Sequence, residues 1–107
     1  MDLYKDLGQA IQDNISDKWE KVIVKIESSL NKMCSFQTEY TLASSEKKEL
    51  KFPLLTANDL MDSVFELQDS MSPEHKWNKA VYTLEKNGHF DMTFEWDQSL
   101  QDEWDKN

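Results

Sequence analysis

The stretch WNKAVYTLEKNGHFDMTFEW, Trp77 to Trp96, decides the fold, because it encodes a β-hairpin whose register can be read residue by residue. Asn87-Gly88 is the turn signal. A two-residue loop at Asn87 and Gly88 sets Leu84 opposite Asp91 and Tyr82 opposite Thr93, so the apolar face of each strand meets the polar face of the other. A three-residue loop of Lys86, Asn87 and Gly88, a type I turn closed by Gly88 in the left-handed region, pairs Leu84 with Phe90, Tyr82 with Met92, Ala80 with Phe94 and Asn78 with Trp96. The reverse face then pairs Lys79 with Glu95, Val81 with Thr93 and Glu85 with His89. One face is apolar and the other polar, and a one-residue slip destroys both. Leu84, Phe90, Tyr82, Met92 and Phe94 are thereby expected in the core.

Upstream, Leu3, Leu7, Ile11 and Ile15 recur at helical spacing over residues 2–15, which predicts an amphipathic helix. Trp19 to Ser28 (WEKVIVKIES) alternates with β-branched residues and predicts a strand with Val22, Val24 and Ile26 on one face. Met33 to Leu42 alternates again, and a turn at Ser29-Leu30-Asn31 pairs Ile26 with Cys34 and Val24 with Phe36. Residues 43–48 are polar and expected to loop, with Leu50, Phe52 and Leu54 alternating in a third strand that Pro53 demotes to an edge. Thr56 or Asn58 is a candidate cap for a helix to about Ser70, with Leu60, Val64, Leu67 and Met71 as its core stripe, widened by Met61 and Phe65. Asp59 and Asp62 are then expected in its first turn. The segment 72–76 ends that helix. Beyond Trp96, Asp97 or Ser99 caps a final helical turn with Leu100 and Trp104 as its apolar side. The expected fold is α+β, a single domain over residues 1–107. Its one mainly antiparallel five-stranded sheet carries helices on one face, in the order α-β-β-β-α-β-β-(α).

The chain has 107 residues, long enough to bury roughly two thirds of its unfolded surface around one core. It holds 21 acids against 12 lysines and no arginine, a net charge of −9. Nucleic acid and anionic membranes are therefore poor partners, and a basic protein is a natural one, since opposite fields speed encounter. Met1-Asp2-Leu3 leads straight into the first helix without a basic segment, apolar run or cleavage site, so the expected location is the cytosol. Cys34 is the single cysteine, which excludes an intramolecular disulfide and a cysteine-based metal cluster, and it is expected in the core.

No catalytic, metal or cofactor site emerges. His75 and His89 lie in a loop and beside a turn with no nucleophile pattern, and no Gly-rich loop opens a helix for phosphate. Carboxylate pairs such as Asp59 with Asp62, or Asp102 with Glu103, belong to a small enzyme only if a pocket sets their pKa values apart; a solvated face is the ordinary reading. The acids concentrate in two places. Asp59, Asp62, Glu66 and Asp69 recur along one side of the central helix with no lysine among them. From Asp91 to Asn107 there are six acids and one lysine. Of the four tryptophans, core packing accounts for Trp19 and Trp96, Trp77 divides evenly between core and interface, and Trp104 falls outside the periodic core positions and reads as an interface aromatic. Acids on adjoining surfaces rimmed by aromatics make a negative field able to cover a basic cleft.

In order, the N-terminal helix, Trp19-Glu20-Lys21-Val22, a strand pair with Phe36 and Tyr40, Asp59-Leu60, Phe65-Glu66-Leu67, Trp77, Leu84-Glu85, Asn87-Gly88 and Phe94-Glu95-Trp96-Asp97 resemble the YezG-like immunity protein (antitoxin) family over nearly the whole chain. The weight lies in their order and spacing rather than in any one motif. The resemblance implies a cytosolic protein that neutralises the C-terminal domain of a cognate contact-dependent or otherwise secreted bacterial toxin, often a nuclease, by binding it. Charge placement, independently of the resemblance, selects Asp59, Asp62, Glu66, Asp69, Asp97, Asp102 and Glu103 as toxin-binding acids, with Trp77 and Trp104 as apolar anchors. The rival reading is an acidic adaptor or secretion chaperone that escorts a basic partner without inhibiting it. No oligomeric state follows from the residues.

Overall fold

The computed structural model describes residues 2–29, 33–71 and 75–106. Three helices and five strands follow one another as α1 (Leu3–Asn14), β1 (Trp19–Ser28), β2 (Cys34–Leu42), β3 (Lys47–Leu50), α2 (Leu54–Met71), β4 (Lys79–Glu85), β5 (Phe90–Glu95) and α3 (Gln98–Asp105). The sheet order is β3-β2-β1-β4-β5, every pair antiparallel. β1, β2 and β3 form a meander, and α2 carries the chain back over the sheet so that β4 adds to the free side of β1. This is the expected α+β architecture.

The β4–β5 hairpin adopts the three-residue loop. Glu85 N–H donates to the His89 carbonyl at 2.8 Å, Gly88 N–H donates to the Glu85 carbonyl at 2.9 Å, and Gly88 sits at φ +89°. Asn87 Oδ1 accepts from His89 N–H and stiffens the turn. Leu84 pairs with Phe90, Tyr82 with Met92 and Ala80 with Phe94, as the alternation requires. The last expected rung is different: Asn78 N–H donates to the Glu95 carbonyl, so Asn78 does not pair with Trp96.

The core lies between the sheet and α1 and α2. Asp2 caps α1 by accepting from Tyr4 N–H at 3.0 Å, and the stripe Leu3, Leu7, Ile11 and Ile15 is buried against Val22, Val24, Ile26, Ala80, Tyr82 and Leu84. Leu60 and Val64 add the contribution of α2. The Ser63 hydroxyl donates to Asp6 Oδ2 at 2.6 Å and ties the two helices together. Trp19 and Cys34 pack partly buried against this cluster.

Several expectations need correction. β1 and β2 pair Ile26 with Phe36 and Val24 with Thr38, two residues away from the expected register, while Ser28 meets Cys34. Side chains alternate with period two, so a two-residue slip leaves both faces intact and the pattern cannot exclude it. The expected turn at 29–31 lies largely outside the described residues. β3 spans Lys47–Leu50, and Leu54 opens α2 instead of closing a strand. Pro53 cannot donate to a ladder, and its carbonyl accepts from Ala57 N–H at 2.8 Å, the first bond of the helix. Thr56 and Asn58 are therefore helical residues rather than caps, and the first turn of α2 holds no acid. α2 runs to Met71, and most of the segment 72–76 expected to end it lies outside the described residues. Phe90, expected in the core, is 48% exposed because β5 is an edge strand, and its ring leans on Tyr4 and Tyr82 with centroids 5.6 and 5.9 Å away.

Candidate functional site

Starting α2 at Leu54 changes what its outer side presents. Leu55, Asp59, Asp62, Glu66 and Asp69 follow one another at spacings of four, three, four and three, which places them in a single stripe, and all five are exposed. At 1.5 Å per residue the stripe is about 21 Å long. Leu55 is 80% exposed and its neighbour Leu54 76%, so the acidic ridge begins with an apolar step. Two adjacent leucines left this open beside a row of carboxylates offer a partner a small apolar contact at the foot of the ridge. Leu55 escapes a sequence reading that continues β3 to residue 54; the signal that locates it is Pro53, a residue favoured where helices begin.

The two faces of the molecule differ in how their charge is arranged. On the open face of the sheet, lysines alternate with acids. Lys21 pairs with Glu85, Lys79 lies between Glu27 and Glu95, and Lys47 stands 3.8 Å from Glu39. The helical face has no such balance, since residues 2–14 and 54–71 carry seven acids and one lysine. The negative field of the chain therefore emerges mainly from the helical side, where α2 presents its acids to solvent.

The C-terminal acids are placed differently. Asp97 is half-buried and caps α3: its Oδ1 accepts from Leu100 N–H at 3.1 Å, while Lys79 Nζ lies 3.9 Å from its Oδ2. Its backbone is clamped by Asn78, whose Nδ2 donates to the Asp97 carbonyl and whose Oδ1 accepts from Asp97 N–H, both at 2.8 Å. Asp97 therefore builds the fold. Asp102 and Glu103 are exposed, Asp102 accepting from Gln98 Nε2 at 2.9 Å, and Trp104 is half-buried beside them on α3. Trp77 is 1% exposed and packs its ring 5.0 Å from Phe94. It is a core residue with no face for a partner, its ring against Phe94 and its carbonyl bonded by Gln68 of α2. Trp96, assigned to the core by pattern, is half-buried with Lys76 Nζ 4.3 Å above its ring.

A buried polar cluster that pattern reading passes over holds these parts together. Gln68 donates from Nε2 to the Trp77 carbonyl at 2.9 Å and to the Ser28 carbonyl at 3.3 Å, and its Oε1 accepts from the Ser28 hydroxyl at 3.1 Å. Ser28 N–H donates to the Asn78 carbonyl. The last turn of α2 and the entry of α3 thus share one end of the sheet, bringing Asp69 and Asp97 to the same end of the molecule. Asp59 lies about 15 Å farther along α2.

Among the described residues no group of three His, Cys, Asp or Glu side chains is placed to hold a metal ion. His75 and His89 are exposed and far apart in the chain. Burial pushes the Cys34 thiol up to about 12, against a smaller opposing effect from the Ser28 hydrogen bond, so it is protonated and unreactive at neutral pH. Among the described residues no helix is long and apolar enough to cross a membrane. Neither a protein-family model nor a curated protein matches the chain.

Proposed function

We propose that this chain is an immunity protein of the YezG-like kind, which binds the toxic C-terminal domain of a cognate bacterial toxin, a basic nuclease by preference, and covers its substrate cleft or an exosite. The observation that carries the reading is the exposed stripe Leu55-Asp59-Asp62-Glu66-Asp69 on α2, acidic without a lysine and apolar at one end. Such a ridge reproduces the charge that a nuclease cleft is built to receive. Its four carboxylates steer a basic partner and form charge-assisted bonds with toxin lysines and arginines, while Leu55 supplies an apolar anchor.

Asp102, Glu103 and Trp104 extend the contact at the end of the molecule shared by α2 and α3. Trp77 and Asp97 act on recognition only by holding that end in shape. The protein works by occupying a surface, in the cytosol of the cell that makes the toxin. Co-expression with the toxin domain encoded beside it tests the reading: growth protection together with a complex that survives purification supports it. Toxicity undiminished by the protein would remove it, and a complex without protection would identify an escort instead of an inhibitor.

A further inference from the structure

The two edges of the sheet are built differently. β3 is four residues long, carries Lys47, Lys48 and Glu49, and runs into Lys51 and Pro53, features that blunt an edge against added strands. β5 is longer, at six residues, and although it carries Asp91 and Glu95 it has no lysine or proline from Phe90 to Asp97. Among the described residues no strand pairs with its outer side.

The ladder identifies the groups on that outer side. Glu85 N–H bonds the His89 carbonyl, so Thr83 with Asp91, Val81 with Thr93 and Lys79 with Glu95 are the hydrogen-bonded rungs, and the rungs between them point their main-chain groups away. β4 obeys the same alternation on its far side, where Lys86 N–H meets the Glu20 carbonyl and Ser28 N–H the Asn78 carbonyl. The N–H and C=O of Phe90, Met92 and Phe94 therefore form the open edge. Their side chains lie toward the helices, half-buried in the case of Met92 and Phe94 and more exposed for Phe90, while Asp91, Thr93 and Glu95 are exposed on the other face. Asp91 stands across from Thr83, and Lys79, across from Glu95, reaches toward Asp97.

We infer that β5 accepts an extended segment of a partner protein as a sixth strand, a segment in which lysine or arginine alternates with apolar residues. The basic positions fall beside Asp91 and Glu95, and the apolar ones continue the row of Phe90, Met92 and Phe94. A second copy of this chain is a poorer occupant, because its own β5 is acidic and each chain carries a net charge of −9. The inference stands on the strand edge and its charge, whether or not the partner is a toxin.

The test uses the full-length, isotope-labelled protein and the peptide acetyl-Lys-Val-Lys-Val-Lys-Val-Lys-amide, followed by amide chemical shifts and hydrogen exchange. The expected result is saturable shifts and slowed exchange at the Phe90, Met92 and Phe94 amides, none at β3, and none with the peptide in which glutamate replaces each lysine. Replacing the Met92 amide by an ester through semisynthesis keeps the side chain and removes the outward N–H, while also making the Asp91 carbonyl a weaker acceptor toward Thr83 on β4, so urea unfolding of the variant is measured alongside; peptide binding to the folded variant should weaken by about fivefold, the loss of one hydrogen bond. Shifts confined to the α2 acids, unchanged exchange at β5, or protection of β5 in the free protein through a dimer seen by sedimentation would each overturn the inference. The toxin reading is tested separately: a protective complex in which the Phe90, Met92 and Phe94 amides still exchange freely sinks the strand proposal alone.

Discussion

Gln68 on α2 and Trp77 at the mouth of β4 are joined by a 2.9 Å hydrogen bond from the glutamine Nε2 to the tryptophan carbonyl, with Gln68 only 2% exposed. The bond fixes where the chain re-enters the sheet after α2 and so sets the end of the molecule at which the last turn of α2 and the entry of α3 meet. Replacing Gln68 by Ala or by Leu leaves the Trp77 carbonyl without this donor. Each substitution is expected to cost about 1–3 kcal/mol in urea unfolding, with Leu no full remedy although it restores apolar volume. A neutral Gln68→Leu would show that packing, and not the hydrogen bonds, holds this corner.

The two glycines predict opposite signs. Gly8 lies inside α1, and a Cβ there meets only the Tyr82 hydroxyl oxygen at an ordinary 3.7 Å. Gly8→Ala is expected to raise stability by about 0.5–1 kcal/mol through the backbone entropy of the unfolded chain. Gly88 is held at φ +89° in the hairpin turn, so Gly88→Ala is expected to lower stability by about 1–2 kcal/mol even though the surrounding space is open. Thermal unfolding of the two variants beside the parent checks both signs.

Cys34 makes a pH prediction. Burial raises its thiol from 9.0 to about 12, so between those values the folded chain holds a proton that the unfolded chain has lost. The contribution to stability is fully present below pH 9.0 and disappears as pH climbs toward 12. The stability of the parent should therefore fall more steeply above pH 9 than that of Cys34→Ala, with the two profiles parallel at lower pH. Thiol-specific labelling at pH 8 should be slow in the native protein and fast in denaturant; equal rates would contradict the burial.

Legibility in the sequence followed from how many independent constraints bore on each element. In the β4–β5 hairpin a turn signal and two alternating faces acted together, and every rung from Leu84–Phe90 to Lys79–Glu95 was readable. β1 and β2 had alternation alone, which a slip of two residues satisfies equally, so their faces were right and their partners were not. At residues 50–54 alternation of Leu50, Phe52 and Leu54 competed with Pro53, and the proline prevailed because it has no N–H to give a ladder. That single boundary concealed Leu55. Trp77, Gln68 and Asn78 depend on contacts between segments distant in the chain, and helical or strand periodicity carries no record of which buried polar group answers which.

The apolar end of the α2 stripe separates a specific contact from general charge attraction. Leu55→Ala is expected to leave stability within about 0.5 kcal/mol, because the side chain is already exposed. Its expected effect is on the toxin complex, weakened by about tenfold through faster dissociation. Calorimetric unfolding and surface-based kinetics on the same preparation distinguish the two effects.

The central claim rests on Asp59, Asp62, Glu66 and Asp69, and stopped-flow association with the neighbour-encoded toxin domain tests it most directly. For the parent, a fast association rate that falls with added salt is predicted, and for the variant Asp59→Asn/Asp62→Asn/Glu66→Gln/Asp69→Asn, a rate lower by about tenfold or more, with weak salt dependence and reduced protection of cells. A folded variant that associates as fast as the parent and protects as well would contradict the account.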